Sequence, residues 1–266
     1  MQRTIGIIGC GNMGGAILGG LAKNLKDYSL NAFDPDKDKI ACLKNDGITI
    51  LSSAKDVVEN SDIIFLCVKP YLVNSVLNEI LPAIKSSSLL LSIAAGVSLS
   101  TLTSGINDKC PVIRCMPNTP ALVGKGVFAL CFENKKLTND HKQEILKIFS
   151  TLGMCLELAE SKFTAFSALI GAGPAYVFEM MQGLVQAGIT LGFQHKESRD
   201  MVIALFEGCS KMAENSKDSF IQMRDAVCSP AGLTIAGVNY LDRAGTIGLI
   251  VDAVIESNKR GKEMEQ

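Results

Sequence analysis

The sequence predicts an α/β fold: a doubly wound parallel sheet over residues 1–160, followed by an all-helical domain over residues 161–266. Three observations predict it. Short apolar runs alternate with helical stretches through the first part of the chain, the spacing of a parallel sheet covered on both faces. A glycine-rich turn joins the first apolar run to the first helix. Beyond about Glu160 no convincing strand is found, and apolar residues recur at helical spacing.

The elements follow in order. TIGIIG (4–9) reads as a short buried strand, and residues 12–25 as a helix despite their glycines. NAFD (31–34) is the second strand, 36–46 a helix and 48–51 a short strand. AKDVVENS makes a helix before the strand IIFLCV (63–68). A helix over 71–85, the strand LLLSIA (89–94), a helix near 98–106 and the strand VIRCM (112–116) continue the alternation. Residues 127–133, a helix over 139–152 and MCLELA (154–159) extend the sheet at one edge. The second part reads as helices over 175–193, 196–215, 219–226, 230–243 and 245–264. The first of these is apolar around most of its circumference, so something must cover it, and a second copy of the chain is the expected cover.

Composition removes several classes of function. The net charge of −1 argues against nucleic-acid binding, which needs a basic excess to neutralise phosphates. The nine cysteines show no zinc-type spacing and mostly sit inside apolar runs. They read as free buried thiols of a reducing compartment, so the chain is expected to be cytoplasmic. No apolar stretch is long enough to span a bilayer, and the N-terminus lacks the features of a signal peptide. There are two histidines, His141 in TNDHKQE and His195 in GFQHKES, both in polar surroundings. A dehydrogenase built on a catalytic histidine is therefore unexpected, and no metal site is expected.

The glycine turn is Gly9-Cys10-Gly11-Asn12-Met13-Gly14. Its first glycine permits the tight turn, the second lets backbone approach a pyrophosphate, and the third lets helix pack on strand. The helix start offers unpaired N–H groups and a partial positive charge to phosphates. Asp34 ends the second strand 20 residues beyond Gly14, the distance at which an acid meets the adenosine ribose. Strand, loop, helix and acid together make a Rossmann-type dinucleotide site. A carboxylate at Asp34 repels a 2′-phosphate, so NADH is favoured over NADPH, although Lys37 and Lys39 soften the repulsion. The alternative role for Asp34 is to initiate the DPDKDK turn.

Three more segments follow strands at the edge where open α/β sheets bind ligands. They are Val68-Lys69-Pro70, Ala94-Ala95-Gly96-Val97 and Met116-Pro117-Asn118-Thr119-Pro120. From them Val68, Lys69, Pro70, Ala94, Ala95, Met116 and Asn118 are expected to line the cofactor, beside Gly9, Gly11, Asn12, Met13, Gly14 and Asp34. In the helical part, Gly171-Ala172-Gly173-Pro174-Ala175-Tyr176 places proline at a helix start. There Cys228-Ser229-Pro230-Ala231-Gly232-Leu233-Thr234 also leads into a helix whose N-terminus suits an anion such as a carboxylate.

Taken in order, IGIIGCGNMG, VKP, SIAAGVSL, RCMPNTPALV, GAGPAYVF and VCSPAGLTI make the whole chain resemble the pyrroline-5-carboxylate reductases. The resemblance implies reduction of a cyclic imine to proline by NADPH or NADH. It implies a helical dimerisation domain and a homodimer, which in the family assembles further into rings. It assigns Thr234 as the catalytic hydroxyl that holds the ring nitrogen. It assigns Ser229 and the backbone of Gly232 and Leu233, with Thr234, to the substrate, whose carboxylate takes the two N–H groups. The chain departs from the family where Ile170 and Ala172 replace two serines, where Ala231 replaces a glycine, and where SFIQMRD lacks His-Pro-Gly.

Two other readings stay open at this point. A β-hydroxyacid dehydrogenase shares the two-domain plan but needs a lysine on the first long helix of its second domain, and Gly171 to Leu191 contains no lysine or arginine. A non-catalytic sensor of nicotinamide nucleotide would account for the altered substrate loop.

Overall fold

The computed structural model describes residues 2–41 and 47–264. It forms two compact units, one running to Ala172 and taking in the chain again from Asn258, the other spanning Gly173–Ser257.

The first unit is built on an eight-stranded sheet. Its strands are β1 (Arg3–Ile8), β2 (Tyr28–Phe33), β3 (Ile48–Ile50), β4 (Ile63–Leu66), β5 (Leu89–Ser92), β6 (Val112–Met116), β7 (Gly126–Cys131) and β8 (Gly153–Glu157). Their spatial order is β3-β2-β1-β4-β5-β6-β7-β8. The first six run parallel; β7 is antiparallel to β6 and parallel to β8. The doubly wound expectation holds, and residues 127–133 and 154–159 do extend one edge.

Alternation along the strands builds two cores. Ile5, Ile7, Phe65, Leu91, Ile113 and Cys115 face one way. There they meet Ile17, Leu18 and Leu21 of α1 (Asn12–Asn24) and Ile145, Ile148 and Phe149 of α6 (Asn139–Ser150). Ile64, Leu66, Leu90 and Val112 face the other way. They meet α3 (Ala54–Glu59), α4 (Val73–Ile80) and α5 (Leu99–Gly105). The central strands β4, β5 and β6 are buried on both faces, which is why their sequences read as continuous apolar runs. The second strand begins earlier than NAFD, because Tyr28 pairs with Arg3 and its hydroxyl donates to Glu144 at 3.0 Å. Of the expected helix 36–46, α2 covers Lys37–Ala41, and the rest lies outside the described residues.

The units divide further along than residue 160, for a packing reason. Phe163 and Phe166 of α7 (Phe163–Phe166) are buried in the second core of the sheet. Glu160 forms a 2.9 Å ion pair with Arg114, a buried residue of β6. Arg114 also lies 4.8 Å over the Phe163 ring. The same glutamate oxygen accepts from Leu99 N at 2.5 Å, at the start of α5. These contacts fix residues 160–171 on the sheet unit. After α7 the helix widens by one residue over Ser167–Gly171, with Ala172 N donating to Ser167 O at 2.8 Å.

The second unit holds α8 (Gly173–Thr190), α9 (His195–Asn215), α10 (Phe220–Ala226), α11 (Leu233–Arg243) and most of α12 (Thr246–Met264). No described helix is long and apolar enough to cross a membrane. Of the apolar residues of α8, Val185 alone is buried; Val177, Phe178, Met180, Leu184 and Ile189 are exposed. Leu241, Ile247, Leu249, Val251 and Ile255 extend bare apolar surface onto α11 and α12.

Candidate active site

The glycine loop is held from beneath. Gly9 has φ +96°, a left-handed conformation that favours glycine, and its N–H donates to Phe33 O at 2.8 Å. A Cβ on Gly14 would lie 2.0 Å from the Gly9 carbonyl oxygen and 2.9 Å from the Cβ of Cys67. Gly14 is thus the point where helix and strand meet. Gly11 differs: a Cβ there meets nothing within 4 Å, so the space above it is open. It caps α1 with no side-chain hydrogen bond, which leaves the first N–H groups of the helix unbound by a cap. Asn12 is exposed beside this opening and Met13 packs half-buried at the rim of the core. A glycine cradle open above and closed below fits the pyrophosphate of a dinucleotide.

Asp34 is buried and works on backbone. Its Oδ2 accepts from Cys10 N at 2.7 Å and its Oδ1 from Asp36 N at 2.9 Å. It therefore both starts the DPDKDK turn and ties the glycine loop to the end of β2. Each carboxylate oxygen retains a second acceptor position. On the exposed rim of the turn, Lys39 pairs with Asp36 at 3.1 Å. The hydrogen bond between them raises the lysine's pKa and lowers the aspartate's.

The chain crosses over between β1 and β4, so the loops after β1, β4, β5 and β6 stand side by side. Val68 is half-buried, while Lys69 and Pro70 are exposed at the start of a 3-10 turn, Pro70–Leu72. Ala94 is buried, its N–H donating to Ser92 Oγ at 3.2 Å, and Ala95 is exposed beside Gly96 at φ +72°. Met116 is half-buried at the end of β6. Asn118 is buried and bonded to protein backbone on both sides of its amide. The expected cofactor residues thus share one edge of the first unit. Beneath them burial pushes the Cys67 and Cys115 thiols well up, so both stay protonated.

In the second unit, Ser229 to Gly232 form a tight turn closed by Gly232 N donating to Ser229 O at 3.1 Å. A Cβ on Gly232 would lie 2.3 Å from Ser229 Oγ, so the serine packs on the glycine. Ala231 has φ +57°, and α11 starts at Leu233 rather than at residue 230. The helix carries no side-chain cap. Leu233 is 96% exposed and Thr234, in the first turn, is exposed too. Sequence reasoning missed the Arg114–Glu160 pair, the double bonding of Asn118 and the left-handed alanine.

A dinucleotide cradle on a doubly wound sheet, followed by a unit of apolar helices, defines a two-domain nicotinamide-dependent oxidoreductase. Comparison with known proteins narrows the class. Residues 160–264 match the family model for pyrroline-5-carboxylate reductase dimerisation, and residues 4–96 match that for NADP oxidoreductase, coenzyme F420-dependent. The chain is 33% identical to the pyrroline-5-carboxylate reductase of Escherichia coli over 100% of both chains. It is 31% identical to that of Corynebacterium melassecola over 99% of both. The crystal structure of the Plasmodium falciparum pyrroline carboxylate reductase with NADP bound superposes with a TM-score of 0.90, at 31% identity and 100% coverage of both chains. The chain belongs to the pyrroline-5-carboxylate reductase family.

Proposed function

We propose that the protein reduces 1-pyrroline-5-carboxylate to L-proline. The observation that carries this reading is the uncapped start of α11, with a helix-end donor at Leu233 and the Thr234 hydroxyl one residue on, while the Gly232 N–H that the resemblance assigns to the carboxylate is engaged by Ser229 O. A ring carboxylate is the ligand such a helix end favours. The Thr234 hydroxyl holds the ring nitrogen, which must carry a proton for the imine carbon to be electrophilic. A bound reduced nicotinamide supplies the hydride; with the nitrogen's proton it completes the amine. The protein's own work is binding and orientation, which in favourable systems lowers a barrier by roughly 7–11 kcal/mol. Family membership removes the grounds for a β-hydroxyacid dehydrogenase.

Thr234→Ala tests the assignment. It removes a hydrogen bond to a charged group, about 1.5–3 kcal/mol, and should lower kcat/KM for the imine on the order of 10- to 100-fold with cofactor affinity kept. Unchanged kcat/KM would reject the role. Of the two cofactors NADH is the preferred one, because Asp34, Asp36 and Asp38 outnumber Lys37 and Lys39 around the β2–α2 turn. The working form is a homodimer through the helical unit, supported by the bare apolar surface of α8, α11 and α12. Its setting is cytoplasmic, in keeping with eight free cysteines among the described residues.

A further inference from the structure

Asn118 stands out among the residues of the ligand edge because its side chain is engaged on both sides while only 7% of the residue is exposed. Its Oδ1 accepts from Val127 N at 2.8 Å, at the start of β7. Its Nδ2 donates to Ile170 O at 3.4 Å, in the widened turn Ser167–Gly171. Its own carbonyl accepts from Ala121 N at 3.2 Å, which closes the 3-10 turn Thr119–Val123.

The Ile170 carbonyl takes this donor from outside its own helix. In α-helical register its partner would be residue 174, and residue 174 is proline, which has no N–H. Widened turns of this kind recur at functional sites. This one also packs closely: a Cβ on Gly171 would lie 3.0 Å from the Met116 methyl. One amide thus joins the loop after β6, the first residues of β7 and the widened turn.

We propose that Asn118 is a positioning residue for hydride transfer, acting through the backbone of Val127 and Ile170 and not as a ligand of the cofactor. The inference rests on the imine-reductase reading for its kinetic consequence, but the tether itself can be tested without turnover. Asn118→Asp keeps the acceptor and replaces the donor by a carboxylate oxygen facing the Ile170 carbonyl. Protonation restores an O–H donor, and burial favours the protonated form. Relative to the unmodified enzyme, kcat of this variant should be roughly ten- to a hundredfold low at alkaline pH, the scale of a small misplacement in a positioned reaction. The ratio should rise as pH falls. Amide exchange over residues 167–172 should be faster than in the unmodified protein at high pH and return towards it in acid. Cofactor affinity, measured by binding, should not change. A weakened cofactor affinity with kcat intact would overturn the proposal, as would a pH-independent ratio near one.

A second variant guards against a general loss of structure. Pro174→Ala supplies the missing N–H, so Asn118→Ala with Pro174→Ala should regain part of the kcat and exchange protection lost by Asn118→Ala. No regain overturns the tether. If the unmodified enzyme reduces no imine, the reading of function fails, and the exchange measurements still decide the tether.

Discussion

Replacing Ala231 by glycine should stabilise the protein. Ala231 sits at φ +57° in the turn Ser229–Gly232, behind a proline that fixes the residue before it. The left-handed region costs an L-residue about 1–2 kcal/mol and glycine almost nothing. Against this, glycine makes the unfolded chain more flexible, which offsets about 0.4–1 kcal/mol. The net expectation is a gain of about 0.5–1 kcal/mol. Gly124→Ala runs the same comparison in reverse: Gly124 has φ +69° and a Cβ there meets nothing within 4 Å, so only the backbone term operates. It should destabilise by about 0.5–1 kcal/mol. The assay is urea unfolding of both variants at one fixed protein concentration, because a dimer's stability depends on it. The slope with denaturant should not change. If Ala231→Gly is neutral or destabilising while Gly124→Ala behaves as stated, the alanine is not strained and the argument fails. Turnover should survive the change, since glycine can adopt every conformation of the turn that alanine can.

The other expectations concern the cofactor and the assembly. Gly14→Ala should disrupt the loop itself and lower the melting temperature along with nucleotide affinity, because its Cβ would stand 2.0 Å from a backbone oxygen. Gly11→Ala should leave the melting temperature alone and weaken nucleotide binding; equal melting losses in both would contradict the open cradle. A steady-state comparison should give the higher kcat/KM with NADH, and parity or reversal would show that the lysines of the β2–α2 turn outweigh Asp34. Light scattering at micromolar concentration should find at least a dimer, and a monomer would remove the explanation for the exposed apolar helices.

What could be read from the sequence was whatever depends on local pattern. The central strands are apolar runs because both faces of the sheet are covered there, and Gly9 and Gly14 meet steric needs of the loop that only glycine meets. Asp34 was legible as an acid at the right distance, and both of its expected roles depend on that one position. The structure shows the turn-forming role through Cys10 N and Asp36 N. The boundary near 160 was not legible as a packing boundary. Phe163 and Phe166 have helical spacing, and nothing local says that they bury against the sheet. The ion pair between Arg114 and Glu160 joins residues 46 apart, and Asn118 reaches Ile170 across 52, so neither leaves a periodic trace.

Asn118 shows why the distinction matters for function. By position it belongs with Met116 and the other residues of the ligand edge, and by that logic it would touch the cofactor. Its side-chain hydrogen bonds go to Val127 and Ile170. Pro174 adds a reason from the sequence: a proline offers no α-helical donor to the carbonyl four residues earlier, and Asn118 donates to that carbonyl. Which side chain would meet it depended on how β6, β7 and the widened turn come together.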